Sequence, residues 1–451
     1  MEKLFKLTAN GTNVKTEVVA GCITFLSMAY ILAVNPSILA VSGMDAGAIF
    51  TATAVSAAFA TLFMAFYANY PIALASGMGL NAYFSYSVCV PMAQAGVQDP
   101  YTIALTAVFV EGIVFILLTF CKFREALVND VPDNLKKGIS AGIGLFIAFI
   151  GLKGANIIVT DSSTLIALGD IASPSVILAL IGILAIAVLT HYKVPGAILW
   201  GVLISWLLGI VAQVAGWYTV DVEAGFASLI PDFSNGITFT APYLFSFNFE
   251  YVASHFFEFV FIVFAFLFVD LFDTAGTVIG IASRGNMLDE NGNLPRAKQA
   301  LMADAVGTVF GACVGTSTVS SYVESSTGVA SGGRTGLASV VTGALFLVAL
   351  LLSPIFLAIP SFATTPALVW VGLLMMESVR EMDFTEDIAA AVAGFLAIII
   401  MPFTYSIANG IMFGILAFVI LRICQGKAND VHPVMWISAM IFIVRIATLI
   451  I

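Results

Sequence analysis

The stretch Gly315-Thr-Ser-Thr-Val-Ser-Ser-Tyr-Val-Glu324-Ser-Ser-Thr-Gly-Val-Ala-Ser-Gly-Gly-Arg-Thr-Gly336 interrupts a chain of long apolar runs. Fifteen of its 22 residues are Gly, Ser or Thr, so it has too little apolar surface to face lipid along its length. A second interrupted stretch, Tyr70-Pro-Ile-Ala-Leu-Ala-Ser-Gly-Met-Gly-Leu-Asn81-Ala-Tyr-Phe84, comes earlier. Unwound backbone at membrane depth is tolerated only where protein or a polar ligand satisfies its N–H and C=O groups. The two stretches therefore predict a polar site inside a membrane protein.

The composition indicates that most of the surface faces membrane lipid. The chain has 451 residues, of which 60% are hydrophobic and only 10% charged, whereas soluble domains have about 25% charged residues. The apolar runs are continuous and about 20 residues long, which is typical of transmembrane helices. A net charge of −10 without a basic patch argues against nucleic acid as a partner.

Fourteen apolar runs are predicted to span the membrane, and we number them spans 1 to 14 in chain order. They are 18–40, 46–70, 74–96, 100–121, 134–155, 173–192, 194–215, 254–280, 297–315, 320–333, 335–358, 364–382, 387–404 and 406–424. A last apolar run, 434–451, contains Arg445, and it either spans the membrane or lies in its interface.

Basic residues support this count, because cytoplasmic loops carry an excess of Lys and Arg. With a cytoplasmic N-terminus, the loops after even-numbered spans should be basic. These loops and span ends hold Lys122, Arg124, Lys136, Lys137, Lys193, Arg284, Arg296, Lys298, Arg334, Arg380, Arg422 and Lys427. Loops after odd-numbered spans have almost none, with Lys153 as the exception. We therefore expect a multi-pass protein of the plasma membrane, in a bacterium the inner membrane.

The acidic connection at about 216–250 divides the chain into two halves of seven spans. Because seven is odd, the second half should enter the membrane inverted relative to the first. The two interrupted stretches are then the third span of each half, spans 3 and 10. Paired, interrupted spans in matching halves point to the binding site of a transporter.

Asp270 and Asp273 of span 8 are three apart and so share one helix face. Glu324 lies in the polar stretch of span 10. A carboxylate at mid-membrane should be paired, hydrated or protonated. These acids could accept hydrogen bonds from ring N–H groups, carry a proton, or hold Na⁺ with backbone carbonyls. A capped helix break or a structural bond to Ser or Thr is the alternative for each aspartate.

Four further acids fall in or near spans but lack an interrupted neighbour in the sequence, so they rank lower as site residues. They are Glu111, Glu258, Asp304 and Glu377. We find no nucleophile with a base and no metal-ligand spacing, so the sequence favours a transporter over an enzyme. A channel stays open as an alternative, while three acids without a basic partner argue against an anion exchanger.

Three motifs resemble the nucleobase–ascorbate (xanthine/uracil) permeases, and more narrowly their AzgA-type adenine/guanine/hypoxanthine subgroup. They are Gly77-Met-Gly-Leu-Asn81-Ala-Tyr-Phe84, Phe268-Val-Asp-Leu-Phe-Asp-Thr-Ala-Gly-Thr277, and Glu324-Ser-Ser-Thr-Gly-Val329 with Gly332-Gly-Arg-Thr-Gly336. The opening from Thr12 to Pro36 is similar to the same subgroup. Span 8 carries Asp where uracil and xanthine members carry Glu, which favours purines but leaves the preferred base open.

The resemblance implies an all-α fold of two inverted seven-helix repeats, with short antiparallel strands in spans 3 and 10. A core domain would comprise residues 1–130 (spans 1–4) and 251–358 (spans 8–11). A gate domain would comprise 131–215 (spans 5–7) and 359–451 (spans 12–14 with the C-terminal run). Residues 216–250 would connect the halves outside the cell. A homodimer through the gate helices is a family expectation.

By motif match, the resemblance implies contacts with a purine base from Asn81, Asp270 and Glu324, assisted by Thr274 and Ser325. Asp273, Glu324 and Asp270 would carry the coupled proton, and Gly77, Gly79 and Gly328 would provide the backbone at the helix breaks. The expected function is therefore secondary active uptake of hypoxanthine, adenine or guanine by proton symport with alternating access. No cofactor is expected beyond the ion gradient, and Na⁺ stays open as the coupling ion.

Overall fold

A computed structural model of the protein describes residues 1–120, 131–220, 228–231, 233, 239–289 and 294–450. Much of the expected 216–250 connection lies outside the described residues. So do two of the basic residues expected after span 4, Lys122 and Arg124.

Within the described residues, the first half of the chain forms ten helices and three strands. These are α1 (Glu2–Phe5), α2 (Val14–Met28), α3 (Ile31–Leu39), α4 (Ala46–Phe63), β1 (Leu74–Ser76), α5 (Met78–Ala82), α6 (Val90–Gln94), α7 (Pro100–Phe120), α8 (Asp133–Gly154), β2 (Ile158–Asp161), β3 (Leu165–Leu168), α9 (Pro174–His191) and α10 (Ala197–Val214). A π-helical segment, Tyr83–Cys89, joins α5 to α6, and another, Met64–Ala68, extends α4. Short 3₁₀ segments cover Thr8–Asn10 and Ala40–Ser42.

The described part of the second half forms ten helices and one strand. These are α11 (Phe249–Ser254), α12 (Phe256–Arg284), α13 (Ala297–Val314), β4 (Val319–Ser321), α14 (Ser325–Ala330), α15 (Gly336–Ala349), α16 (Ser353–Leu357), α17 (Ser361–Met376), α18 (Ile388–Phe403), α19 (Ile407–Cys424) and α20 (Pro433–Ile450). Short 3₁₀ segments cover Leu350–Leu352, Glu377–Glu381 and Ala428–Asp430.

Within the described residues, nine helical segments are long and apolar enough to cross a membrane. This confirms the multi-pass α-helical class. The count is lower than fourteen partly because the interrupted spans 3 and 10 form strands and short helices, and because α18 has only 16 residues. The inverted fourteen-span repeat stays a prediction.

The helices pack in two groups. In the first group, α2 packs against α14 and α15, α4 against α13 and α15, and α7 against α12 and α13. In the second group, α8 packs against α17 and α18, α9 and α10 pack against α17, and α18 packs against α19. The first group draws on residues 14–120 and 256–357, and the second on 133–214 and 361–424, so each group combines both halves of the chain.

Glycines set the close approach of helices in the second group. A Cβ atom on Gly138 of α8 would lie 2.5 Å from the Cα of Gly394 on α18. A Cβ on Gly372 of α17 would lie 2.5 Å from the carbonyl oxygen of Gly144. Without a hydrophobic drive between helices in lipid, small residues gain stability through such close van der Waals packing.

The described residues contain two pairs of antiparallel strands, of which only one was predicted. β1 pairs with β4, with Leu74 opposite Ser321 and Ser76 opposite Val319, and both strands are buried. These strands lie in spans 3 and 10, where the resemblance implied them. The β2–β3 hairpin, between α8 and α9, was not predicted, and its side chains are mostly half-buried or exposed.

The C-terminal run forms α20, which packs lengthwise against α12. Arg445 lies 3.9 Å from Glu258 near the start of α12, and Phe442 packs on Phe261 with ring centroids 5.7 Å apart. Near the other end of α20, Val434 joins an apolar cluster with Leu271. The two helices are therefore antiparallel over about a dozen residues, roughly 18 Å of helix. This packing favours a transmembrane course for the run over an interfacial one.

Candidate functional site

The two interrupted stretches meet in the β1–β4 pair. The N–H of Gly77, just after β1, donates to the carbonyl oxygen of Thr318 at 2.9 Å, and the N–H of Tyr322 donates to that of Ala73 at 3.0 Å. These bonds extend the ladder at both ends, so each break satisfies backbone groups that lipid would leave unpaired. The α5 helix starts directly after β1, and α14 starts four residues after β4.

Asn81 lies on α5 and is fully buried. Its Oδ1 accepts hydrogen bonds from the hydroxyl groups of Ser76, at 2.7 Å, and of Ser317. The Asn81 side chain is thus held by hydroxyls from both interrupted stretches.

Glu324 is the N-cap residue of α14, and its carboxylate accepts a hydrogen bond from the hydroxyl of Tyr30 at 2.5 Å. Tyr30, between α2 and α3, is completely buried, whereas Glu324 keeps 8% of its surface exposed. The neighbouring Ser325 is buried, and its Oγ accepts from the Ala73 N–H at 3.0 Å. The Ser325 hydroxyl proton stays available for another acceptor.

Asp270 and Asp273 share the inner face of α12 but contact different elements. Asp270 is fully buried, and its Oδ1 lies 3.2 Å from the Oγ1 of Thr274. Asp273 is only half-buried, and its Oδ2 accepts from the Ser320 hydroxyl of β4 at 3.3 Å. Asp273 therefore connects α12 to the strand pair, while Asp270 points towards α7 and α13.

Two acids that the sequence ranked lower, Glu111 and Asp304, belong to this cluster. Glu111 on α7 and Asp304 on α13 are both fully buried. The carboxyl groups of Glu111 and Asp270 lie next to each other and interact directly. Asp304 accepts from Thr274 at 2.9 Å and from Ser321 of β4 at 3.0 Å.

The polar neighbours of these two acids are distant in sequence, which is why the search for interrupted neighbours missed them. The hydroxyl of Thr318, just before β4, donates to Glu111 Oε2 at 3.0 Å across 207 positions. The remaining signal was intramembrane acidity itself, which Glu111 and Asp304 share with Asp270. The other two low-ranked acids lie elsewhere. Glu258 accepts from Tyr251 at 2.8 Å, and the Glu377 side chain is 64% exposed.

The three glycines predicted for the helix breaks differ in position. Gly77 is the N-cap of α5 and lies at the break itself. Gly79 lies inside α5, where a Cβ would meet Ile143 of α8 at 2.6 Å. Gly328 lies inside α14, where a Cβ would meet the Ala20 carbonyl oxygen of α2 at 2.6 Å. Close packing therefore accounts for the small residue at Gly79 and Gly328.

A cavity of about 1140 Å³ lies beside the site. Its lining includes Tyr83, Tyr86, Lys153, Glu258, Tyr405 and Arg445. Tyr83 follows Asn81 by two residues and packs edge-on against Phe266 of α12, with ring centroids 4.7 Å apart. Phe266 of this pair lies one helical turn before Asp270 on α12. Among the described residues, no group of three His, Cys, Asp or Glu side chains is arranged to hold a metal ion.

Comparison with known proteins gives consistent relatives. A sequence profile described as "Permease family", that of the xanthine/uracil permeases, matches residues 15–444. A putative permease of Methanocaldococcus jannaschii is 44% identical over 99% of this chain and 98% of its own length. Adenine permease AdeP of Escherichia coli is 38% identical over 99% of this chain and 96% of its own. Guanine/hypoxanthine permease PbuO of Bacillus subtilis is 40% identical over 98% of this chain and 99% of its own.

Solved structures share the fold at low sequence identity. The transmembrane domain of the cyanobacterial bicarbonate transporter BicA superposes with a TM-score of 0.67 at 16% identity, covering 88% of this chain and 97% of that domain. SLC26A9 superposes with a TM-score of 0.67 at 13% identity, covering 91% of this chain and 66% of its own.

Proposed function

Because the chain belongs to the xanthine/uracil permease family, we propose that it imports purine nucleobases by proton symport with alternating access. Family membership makes it a multi-pass membrane transporter and not an enzyme. Hypoxanthine, adenine and guanine are the proposed substrates, since the relatives named above are permeases for these bases. The proton gradient is the proposed energy source, and no cofactor is involved.

The observation that carries the proposal is the paired strand break with acceptor groups around it. Asn81 and Glu324 follow the two strands, Asp273 of α12 contacts β4, and Asp270 lies three residues before Asp273 on the same helix. Purines are neutral rings with N–H donors, which suit carboxylate and amide acceptors. Thr274 and Ser325 supply hydroxyl groups beside these residues.

The shared fold with a bicarbonate transporter raises anion exchange as a second function, but the charges disfavour it. Within the described residues, the ion pairs involve none of Asp270, Asp273 and Glu324. An anion placed among three acids would be repelled unless cations balanced them. A neutral base has no such penalty.

The helix packing supports a division into core and gate. The first packing group, residues 14–120 and 256–357, carries all the candidate site residues. The second group, 133–214 and 361–424, contacts it through Gly79 of α5 and Ile143 of α8 among others. In the proposed cycle the core moves against the gate to expose the site to each side in turn. The N-terminus is proposed to be cytoplasmic, the membrane to be the bacterial inner membrane, and a homodimer to form through the gate.

The proposal is tested by uptake of radiolabelled hypoxanthine in cells or proteoliposomes. Adenine, guanine, xanthine and uracil serve as competitors, at two pH values, with and without Na⁺. We expect purines to compete, uptake to rise at acid pH, and Na⁺ to have no effect.

The variant Glu324→Gln removes the acid but keeps the side-chain shape, so we expect it to abolish uptake. Glu377→Gln, an exposed acid of a 3₁₀ segment, serves as the matched control and should transport normally. The proposal fails if Glu324→Gln leaves both uptake and its pH dependence intact.

A further inference from the structure

The structure contains a buried acid pair that the proposed substrate contacts do not use fully. Glu111 and Asp270 come from different helices, α7 and α12, and both side chains are completely buried. Glu111 Oε1 and Asp270 Oδ2 find no hydroxyl or amide donor among the described residues. Buried polar atoms rarely stay without a partner, because each costs about 1–3 kcal/mol. Something absent from the protein's own donors must satisfy them.

A proton fits this position. The two carboxyl groups interact directly with each other, and neither group has a hydrogen to give while both are ionised. Two carboxylates in contact at low dielectric do not both ionise, so they share one proton. That proton satisfies both unpartnered oxygens at once.

The neighbouring hydroxyl groups also supply fewer hydrogens than the carboxyl oxygens can accept. Thr274 Oγ1 lies within hydrogen-bonding distance of both Asp270 Oδ1 and Asp304 Oδ2, yet its hydroxyl has a single hydrogen. It donates fully to only one of them. Thr318 supplies one hydrogen to Glu111 and Ser321 one to Asp304. Among the described residues, at most two hydroxyl hydrogens therefore face the four carboxyl oxygens of Glu111 and Asp270.

The titratable groups around the pair are mainly acids and tyrosines. Near the pair lie Asp273 on α12, Asp304 on α13, Tyr322 and Glu324 between β4 and α14, and Tyr83 after α5. At the cavity end of α12 lie Glu258, Tyr251 of α11, Arg445 of α20 and Lys153 of α8. Arg445 pairs with Glu258, twelve positions before Asp270. The ion pairs of the described residues include neither Glu111 nor Asp270.

We propose that Glu111 and Asp270 together form the binding site of the transported proton, behind the purine site. The inference rests on the proposed symport. A proton from the outer solution would be held between the two carboxyl groups while the base is bound, and released to the inner solution from the same oxygens. Glu111 is thus a coupling residue that does not contact the base.

The test separates proton binding from purine binding in the purified full-length protein. Hypoxanthine is added to weakly buffered protein, and a pH indicator reports protons taken up, while binding is measured with radiolabelled base. We expect the wild type to take up protons on binding. Glu111→Gln should still bind hypoxanthine and exchange it by counterflow, but should take up no proton.

In proteoliposomes, a gradient of about one pH unit corresponds to about tenfold accumulation for one coupled proton. Glu111→Gln should reduce that to no accumulation. Glu258 is another acid of α12, near the start of the helix. The variant Glu258→Gln is the matched control and should keep proton uptake. If Glu111→Gln accumulates hypoxanthine and binds protons as the wild type does, the inference is overturned while the symport proposal stands. If the wild type binds the base without proton uptake, both are overturned.

A second variant covers the case in which Glu111→Gln does not fold. Thr318→Val removes the hydroxyl that donates to Glu111 Oε2 and keeps the side-chain shape. Loss of this donor favours the protonated pair, so the pH of half-maximal uptake should rise. An unchanged pH profile in correctly folded Thr318→Val would contradict the assignment. The variant Glu111→Asp keeps a carboxyl group at this position. Retained proton uptake in Glu111→Asp would support the assignment.

Discussion

The bond between Tyr30 and Glu324 gives a quantitative prediction. Tyr30 is completely buried and donates to the Glu324 carboxylate at 2.5 Å. Tyr30→Phe removes the donor and leaves the ring. A hydrogen bond to a charged group contributes about 1.5–3 kcal/mol, and one pH unit corresponds to about 1.4 kcal/mol. Without this donor the ionised form of Glu324 loses roughly that energy relative to the protonated form. The pH of half-maximal uptake should therefore move upward by about one to two units.

The assay is initial uptake of radiolabelled hypoxanthine between pH 5 and 9. Its matched control is Tyr251→Phe, because Tyr251 also donates to a glutamate, Glu258, at 2.8 Å, but at the cavity end of α12. Tyr251→Phe should leave the pH profile in place. If Tyr30→Phe transports at the wild-type rate with an unchanged profile, Glu324 does not depend on Tyr30, and the reasoning from this contact is refuted.

Two further predictions concern stability, measured as thermal unfolding in detergent. Gly328→Ala should lower the unfolding temperature, because the new Cβ would lie 2.6 Å from the Ala20 carbonyl oxygen, and overpacking costs about 1–3 kcal/mol. The control Gly276→Ala should be neutral, because its Cβ would meet no atom within 4 Å. Equal stability of the two variants would contradict the packing assigned to α14. Deletion of residues 433–451 should destabilise the protein, because it exposes the face of α12 that Phe442 covers. An unchanged unfolding temperature would show that α20 does not pack on α12.

Sequence analysis identified the polar groups that are energetically unfavourable in lipid, but not the side chains that contact them. Two polar breaks and three mid-membrane acids, Asp270, Asp273 and Glu324, are visible because each is expensive in lipid. The pairing of the breaks as β1 and β4 was implied by the resemblance, and the structure confirms it. The β2–β3 hairpin was missed, since its short strands carry no pattern that separates them from a loop.

Glu111 and Asp304 show why the site could only be predicted in part. Each is a single acid inside an ordinary apolar helix. The sequence criterion considered only whether an interrupted segment lies nearby along the chain. Their hydroxyl partners, Thr318 and Ser321, come from another segment. Pattern analysis reports neighbours within one helix or strand, whereas this cluster is assembled by packing of α7, α12 and α13 on β4.

The position of β4 provides a physical link between the two proposed sites. Three hydroxyls at this short strand donate to acids on three helices: Thr318 to Glu111 of α7, Ser320 to Asp273 of α12, and Ser321 to Asp304 of α13. The other edge of the pair leads through Gly77 to Asn81. A base that repositions the strand pair therefore changes the donors of the acid cluster directly. Under the proposed mechanism, coupling needs no long chain of side chains, because one strand contacts both the base-binding and the proton-binding groups.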